Sequence, residues 1–164
     1  MQDEVDRLVA AWRRERPDLD VSPLEVLSRI SRLARHLDRA RRDAFSEHDL
    51  QQWEFDVLSA LRRSGSPYRL SPGALLTQTL VTSGTMTNRI DRLTARGLVR
   101  REPDPHDRRG VLVLLTEAGR DRVDAAFTDL LAGEQGLLSG LTQRQRESLA
   151  GLLRDLVVPF DNAP

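Results

Sequence analysis

Within residues 71–115, the spacing of apolar side chains changes from a helical period to a strand period. The dipeptide Ser71-Pro72 predicts the start of a short helix, because serine caps a first turn and proline fits its first position. A second, longer helix is predicted to follow and to end near Arg96, before the stop signal Gly97. Its buried stripe is expected to consist of Met86, Ile90 and Leu93.

Two segments, 98–102 and 111–115, come directly after these helices and predict two strands. The segment 103–110 between them is rich in proline, aspartate and glycine, which favours a turn, and it contains two adjacent arginines near its end. A short helix, a longer helix and a basic hairpin follow one another in a winged helix-turn-helix. In that fold the second helix enters the major groove of DNA and the hairpin reaches the adjacent minor groove.

The distribution of charge agrees with a nucleic-acid partner. Residues 62–109 contain ten arginines and four acidic residues, whereas the whole chain has a net charge of zero. Clustered positive charge is what neutralisation of phosphates requires, although a solvated charged surface would give the same count. The absence of cysteine excludes thiolate zinc sites and thiol redox chemistry. Since no apolar run has the length of a signal peptide core or a membrane span, we expect a cytoplasmic protein with no membrane partner.

The side chains opposite the buried stripe of the longer helix are the candidate DNA-binding groups. Hydroxyl, amide and guanidinium groups bind base edges or the phosphate backbone of DNA. Arginines at a hairpin tip suit the negative potential of a narrow minor groove. The predicted DNA-binding residues are Ser83, Thr85, Thr87, Asn88, Arg92, Arg108 and Arg109.

Amphipathic helices are also predicted on both sides of the hairpin unit, residues 71–115. Apolar spacing predicts a helix over residues 3–15, a helix of about six turns that Ser22 caps, and a helix over about 51–63. Two further helices are predicted to begin after Thr116 and Thr142, and the last is expected to end at Pro159. The chain is therefore predicted to be mainly α with one small β-hairpin.

Several motifs of the hairpin unit resemble the signature of the MarR family of transcriptional regulators. They are Arg92-Leu93, Gly97-Leu98-Val99, Gly119 and the run Pro103-Asp104-Pro105-His106-Asp107-Arg108-Arg109-Gly110-Val111-Leu112-Val113-Leu114-Leu115-Thr116. The resemblance implies an obligate homodimer that presents two recognition helices to a pseudo-palindromic operator in double-stranded DNA. It also implies a single domain over 1–164, with dimerisation helices at about 1–48 and 117–160 and a DNA-binding lobe at about 51–116.

A narrower resemblance concerns a small-molecule effector. The extra first helix, the run Glu54-Phe55-Asp56-Val57-Leu58 and the segment 86–93 are similar to the urate-responsive, PecS-like branch of the family. The resemblance implies that Trp12, Asp56 and Arg89 line a purine pocket, together with Arg101 at the start of the wing. An indole face, a guanidinium and a displaceable carboxylate are a suitable set for urate, which is a flat monoanion. The alternative effector is a phenolic compound or an aromatic carboxylate.

Two other classes of function are weighed against a regulator. An enzyme is not expected, because the three histidines are scattered, and no phosphate-binding loop or nucleophile with a nearby base is present. No catalytic residue, metal ligand or cofactor is predicted. A helical module that binds a protein partner through the basic hairpin is the other alternative, and a steep salt dependence of DNA binding would argue against it.

Overall fold

The computed structural model describes residues 2–79 and 82–161, except for the side chains of Arg108 and Arg109. The described residues form seven helices and three strands. In chain order these are α1 (Glu4–Glu15), α2 (Pro23–Glu47), α3 (Gln52–Arg63), β1 (Arg69–Leu70), α4 (Pro72–Thr79), α5 (Ser83–Ala95), β2 (Val99–Asp104), β3 (Asp107–Leu115), α6 (Glu117–Leu137) and α7 (Gln143–Asp161). The mainly α fold with a winged helix-turn-helix is therefore confirmed. Within these residues, no helix has both the length and the hydropathy needed to cross a bilayer.

The helix starts follow the predicted capping residues in three cases and depart from them in one. The Thr142 hydroxyl accepts a hydrogen bond from the amide of Gln145 at 3.4 Å, before α7. The Thr116 hydroxyl accepts a hydrogen bond from the amide of Gly119 at 3.0 Å, and the Ser71 hydroxyl accepts one from Ala74 at 3.2 Å. The prediction that Ser22 caps α2 is wrong, because its own backbone is already helical and its side chain makes no capping bond. The Asp20 carboxylate accepts the Ser22 amide at 2.9 Å instead.

The hairpin is longer than predicted, and a third strand joins it. Residues 105–106 alone separate β2 from β3, so most of the segment predicted as a turn belongs to the strands, with a shift of register between Pro103 and Asp104. The short strand β1, which was not predicted, pairs antiparallel with β3, with Arg69 opposite Leu114. The sheet order is β1-β3-β2. A two-residue strand has no periodicity of its own, so only its tertiary partner reveals it.

The helix α7 continues beyond Pro159 to Asp161, so the predicted end at Pro159 is wrong. Proline removes one N–H donor and crowds the preceding turn, but the residues after it can keep helical dihedral angles. Near the end of a helix this weakens the last turn without ending the helix.

One large apolar core lies around the hairpin unit. There α3, α4 and α5 pack against the sheet and against the first half of α6. It includes Leu58, Leu61, Leu75, Met86, Ile90, Leu93, Val113 and Val123. A second, small cluster joins α1 to the start of α2 through Val5, Val9 and Val21. By contrast, α7 buries none of its side chains within one chain.

The base of the hairpin is fixed to α6 by a close backbone approach at Gly119. A Cβ atom at this position would lie 2.1 Å from the carbonyl oxygen of Leu98, so only glycine fits. The Thr116 hydroxyl donates a hydrogen bond to the carbonyls of Gly97, at 2.8 Å, and of Leu98, at 3.0 Å. These contacts join the start of β2, the end of β3 and the first turn of α6.

Candidate functional site

The helix α5 presents a polar, exposed surface on the side away from the core. Met86, Ile90 and Leu93 are at most 1% exposed, and they fix which side of the helix faces outward. The exposed side chains include five of the predicted DNA-binding residues, namely Ser83, Thr85, Thr87, Asn88 and Arg92. The structure therefore brings the predicted groups of the helix onto one accessible element.

The hairpin β2–β3 forms the wing beside α5. The Arg101 guanidinium pairs with the Asp91 carboxylate at 2.7 Å, which links the base of the wing to α5. Arg108 and Arg109 lie at the tip by their backbone, directly after Asp107, the first residue of β3. Their side chains lie outside the described residues.

Asp56 on α3 and Arg89 on α5 interact electrostatically. Partial shielding from water raises the pKa of the Asp56 carboxyl, while the positive charges of Arg89, Arg41 and Arg63 act in the opposite direction. The Arg89 side chain is half-buried, and its guanidinium lies 5.5 Å from the centre of the Trp53 ring. Two of the four predicted ligand-binding residues are thus close enough to influence each other.

Trp12 and Arg101, the other two predicted ligand-binding residues, lie elsewhere in the chain. Trp12 is 48% exposed in a groove of about 880 Å³ between α1 and α2. Among the residues described, this groove is lined by α1 and α2 and includes neither Asp56 nor Arg89. Arg101 is engaged with Asp91. A single chain therefore does not gather all four residues into one pocket.

A buried ion pair beneath α5 was not predicted from the sequence. The Glu54 carboxylate is 2% exposed, and both of its oxygens accept hydrogen bonds from Arg96 at 2.6 Å. The carboxylate also accepts the amide of Gln51 at 2.9 Å, which caps α3. The second terminal nitrogen of the Arg96 guanidinium, Nη2, donates a hydrogen bond to the backbone carbonyl of Asp49 at 2.6 Å. The hydrogen bonds that Arg96 donates to the carboxylates of Glu54 and Asp49, together with their negative charges, raise the pKa of Arg96, so it stays charged.

The sequence contained one signal for this pair. Glu54 lies three residues after Gln51, at the spacing of a capping box, so its contact with the start of α3 could have been predicted. The partner Arg96 lies 42 residues away, at the end of α5, and no local pattern connects the two. The pair fixes α3, the loop before it and the end of α5 relative to one another.

Comparison with known proteins gives the same assignment as the fold. Residues 48–110 match the model of the MarR family. The chain is 38% identical over 150 residues to the HTH-type transcriptional regulator PecS of Dickeya dadantii, covering 92% of this chain and 90% of that protein.

Two solved structures are also similar. A mutant of MarR from E. coli, complexed with operator DNA, superposes with a TM-score of 0.67 at 29% identity, covering 85% of this chain and 99% of that one. Bordetella bronchiseptica BpsR, whose DNA binding is regulated by 6-hydroxynicotinic acid, has a TM-score of 0.59 at 30% identity, with 78% and 98% covered. From its fold, its exposed α5 surface and these relatives, the chain belongs to the MarR family of DNA-binding transcriptional regulators and to the PecS-like branch of that family.

Proposed function

We propose that this chain is a homodimeric repressor that binds a pseudo-palindromic operator and is released from it by a small aromatic anion, urate or a related purine. The observation that supports DNA binding most strongly is the exposed polar surface of α5 beside an arginine-tipped wing. In this proposal α5 enters the major groove, where Asn88 and Arg92 contact base edges or phosphates. Ser83, Thr85 and Thr87 lie in the first turns of the helix, where hydroxyl groups and backbone amides suit a phosphate.

The apolar surface of the long helices supports the homodimer. Large hydrophobic side chains on α2, α6 and α7 are exposed in one chain, and Phe160 is 79% exposed. Patches of this kind on a regulator of this family are best covered by a second copy. In this proposal the dimerisation helices lie at about 1–48 and 117–160 and the DNA-binding lobe at about 51–116.

Replacing Arg109 by alanine tests the proposed role of the wing tip. We expect DNA binding to weaken, and the slope of log K against log salt to become shallower by about 2, because each chain of the dimer loses one contact with the phosphate backbone or minor groove. Fluorescence anisotropy with a duplex selected from a random library by the wild-type protein measures both quantities. Arg16→Ala is the matched control, since Arg16 forms an exposed pair with Asp18 far from the wing. An unchanged slope in Arg109→Ala would contradict the role of the tip.

The effector site is proposed to form around Asp56 and Arg89. An anionic ring near Asp56 repels its carboxylate and attracts the Arg89 guanidinium, and Arg89 belongs to the helix that contacts DNA. The displacement of Arg89 would tilt α5 in the groove and lower operator affinity. Arg101 joins the site through Asp91 on the same helix. Trp12 reaches the site only if dimerisation brings its groove close to α3 or α5.

Thermal denaturation with urate, xanthine and salicylate tests the effector. At a hundred times its dissociation constant, a ligand stabilises the folded state by about 2.7 kcal/mol, so urate is expected to raise the melting temperature by several degrees. Trp12→Phe is expected to reduce this shift while leaving DNA affinity nearly unchanged. A shift with salicylate and with neither purine would select the alternative, a repressor of the same family that responds to a phenolic compound or an aromatic carboxylate. The 6-hydroxynicotinic acid that regulates BpsR is the observation that favours this alternative.

A further inference from the structure

Trp53, in the first turn of α3, is held in a fixed orientation beside α5. Its side chain is half-buried at the edge of the main core. The indole Nε1 donates a hydrogen bond to the Oε1 atom of Gln51 at 2.5 Å. Packing on one side and this hydrogen bond on the other restrict rotation of the ring. The ring therefore has contacts on two sides.

Two arginines of α5 approach the Trp53 ring. The guanidinium carbon of Arg92 lies 5.0 Å from the ring centre, and that of Arg89 lies 5.5 Å from it. The two arginines are three residues apart and so project from neighbouring positions on the helix, where like charges repel. Tryptophan is the aromatic side chain that attracts cations most strongly, and a guanidinium within about 6 Å of its centre interacts favourably. The ring thus stabilises two positive charges side by side on the surface proposed to face DNA.

Asp56 lies one turn further along α3 and acts on the same arginine. Its carboxylate interacts electrostatically with Arg89, as does the Trp53 ring. The two arginines therefore differ, since Arg92 approaches the Trp53 ring and Arg89 both approaches the ring and interacts with Asp56.

We propose that Trp53 is a positioning residue for DNA binding, which orients the guanidiniums of Arg92 and Arg89 toward the operator without itself touching DNA. The inference rests on the proposed DNA-binding role of Arg92. Long arginine side chains lose much conformational freedom on binding, and orienting them in advance reduces that cost. Operator affinity therefore depends on a residue of α3 as well as on the residues of the recognition helix.

A double-mutant cycle on the full chain tests this inference, with anisotropy on a duplex selected by the wild-type protein. Trp53→Leu is expected to weaken binding about tenfold, from the loss of two cation–π contacts, and Trp53→Phe to weaken it less. In the Arg89→Ala/Arg92→Ala background, the same Trp53→Leu change is expected to alter affinity less than about twofold, because nothing remains for the ring to orient. An equal effect in both backgrounds would overturn the positioning role. Normal binding by Arg89→Ala/Arg92→Ala itself would overturn the proposed DNA contact of Arg92, and the inference with it.

Tryptophan fluorescence tests the contact between the ring and the two arginines directly. The chain has two tryptophans, so in a Trp12→Phe background the emission comes from Trp53 alone. Arg89→Ala/Arg92→Ala is expected to shift or intensify this emission, since both cations leave the ring. Arg154→Ala, on α7, is the control with no expected change. Identical spectra for the two variants would contradict contact between the ring and the arginines in solution, even if Trp53→Leu proves too unstable to study.

Discussion

Replacing Arg96 by alanine is expected to lower the free energy of unfolding by about 3 kcal/mol, the lower end of the cost of removing one partner of a buried ion pair, because the Arg96 side chain is itself 29% exposed. The change leaves the Glu54 carboxylate, which is 2% exposed, without its two hydrogen bonds from the guanidinium. It also removes the bond to the Asp49 carbonyl that holds the loop before α3. Denaturation in guanidinium chloride at a fixed chain concentration measures the loss, because the stability of an oligomer depends on concentration.

Two further variants make the Arg96 prediction specific. Arg16→Ala removes the same charge from an exposed pair, with Arg16 half exposed, and should leave the free energy of unfolding nearly unchanged. The double variant Arg96→Ala/Glu54→Leu should be more stable than Arg96→Ala alone, because it no longer buries an unpaired carboxylate. A double variant that is the less stable of the two would contradict the electrostatic explanation and favour a packing role for Glu54.

Replacing Leu156 by glutamate is expected to convert the proposed dimer into a single chain and to lower operator affinity by about a hundredfold or more. Leu156 is 48% exposed on α7, on the same side of the helix as Leu149, Leu152 and Phe160. A carboxylate in the centre of an apolar interface loses its hydration without gaining a partner. Two linked DNA-binding units bind more tightly than one by roughly 10²–10⁴, and this gain is lost in a single chain. Light scattering on a sizing column and anisotropy with the selected duplex measure the two effects.

Arg154→Glu is the matched control for Leu156→Glu. It introduces the same side chain two positions away, on the polar side of α7. We expect this variant to keep the mass of two chains of 18.5 kDa and to bind DNA nearly as well as the wild type. A wild-type protein with the mass of one chain would contradict the dimer itself. A Leu156→Glu dimer would locate the interface on other helices.

The parts of the fold that could be predicted from the sequence are those set by local periodicity and capping. The stripe of Met86, Ile90 and Leu93 fixed the exposed surface of α5, and the Thr116 side chain indicated the start of α6. The strand β1 and the pairing of Glu54 with Arg96 could not be predicted in this way, because each depends on a partner more than 40 residues away in the chain.

The predicted residues of the candidate effector site differ in the same way, because some meet within one chain and others do not. Asp56 and Arg89 lie on two helices that pack in the same core unit, and the structure brings them into electrostatic contact. Trp12 lies on α1, whose small cluster is separate from that core, so its position relative to Asp56 depends on association between chains. No pattern within one sequence encodes that geometry.

The glycine at 119 has a mechanical consequence for regulation. Because α6 packs directly against the Leu98 carbonyl, we expect the hairpin to turn together with this helix, as one lever. The strand β2, six residues at about 3.3 Å each, gives this lever a length of roughly 20 Å. A rotation of about 10° would therefore sweep the far end through about 3.5 Å, close to the ~3.4 Å rise of a single nucleotide step. An effector that rotated α6 only slightly would therefore move Arg108 and Arg109, at the tip of the wing, out of the minor groove proposed to receive them.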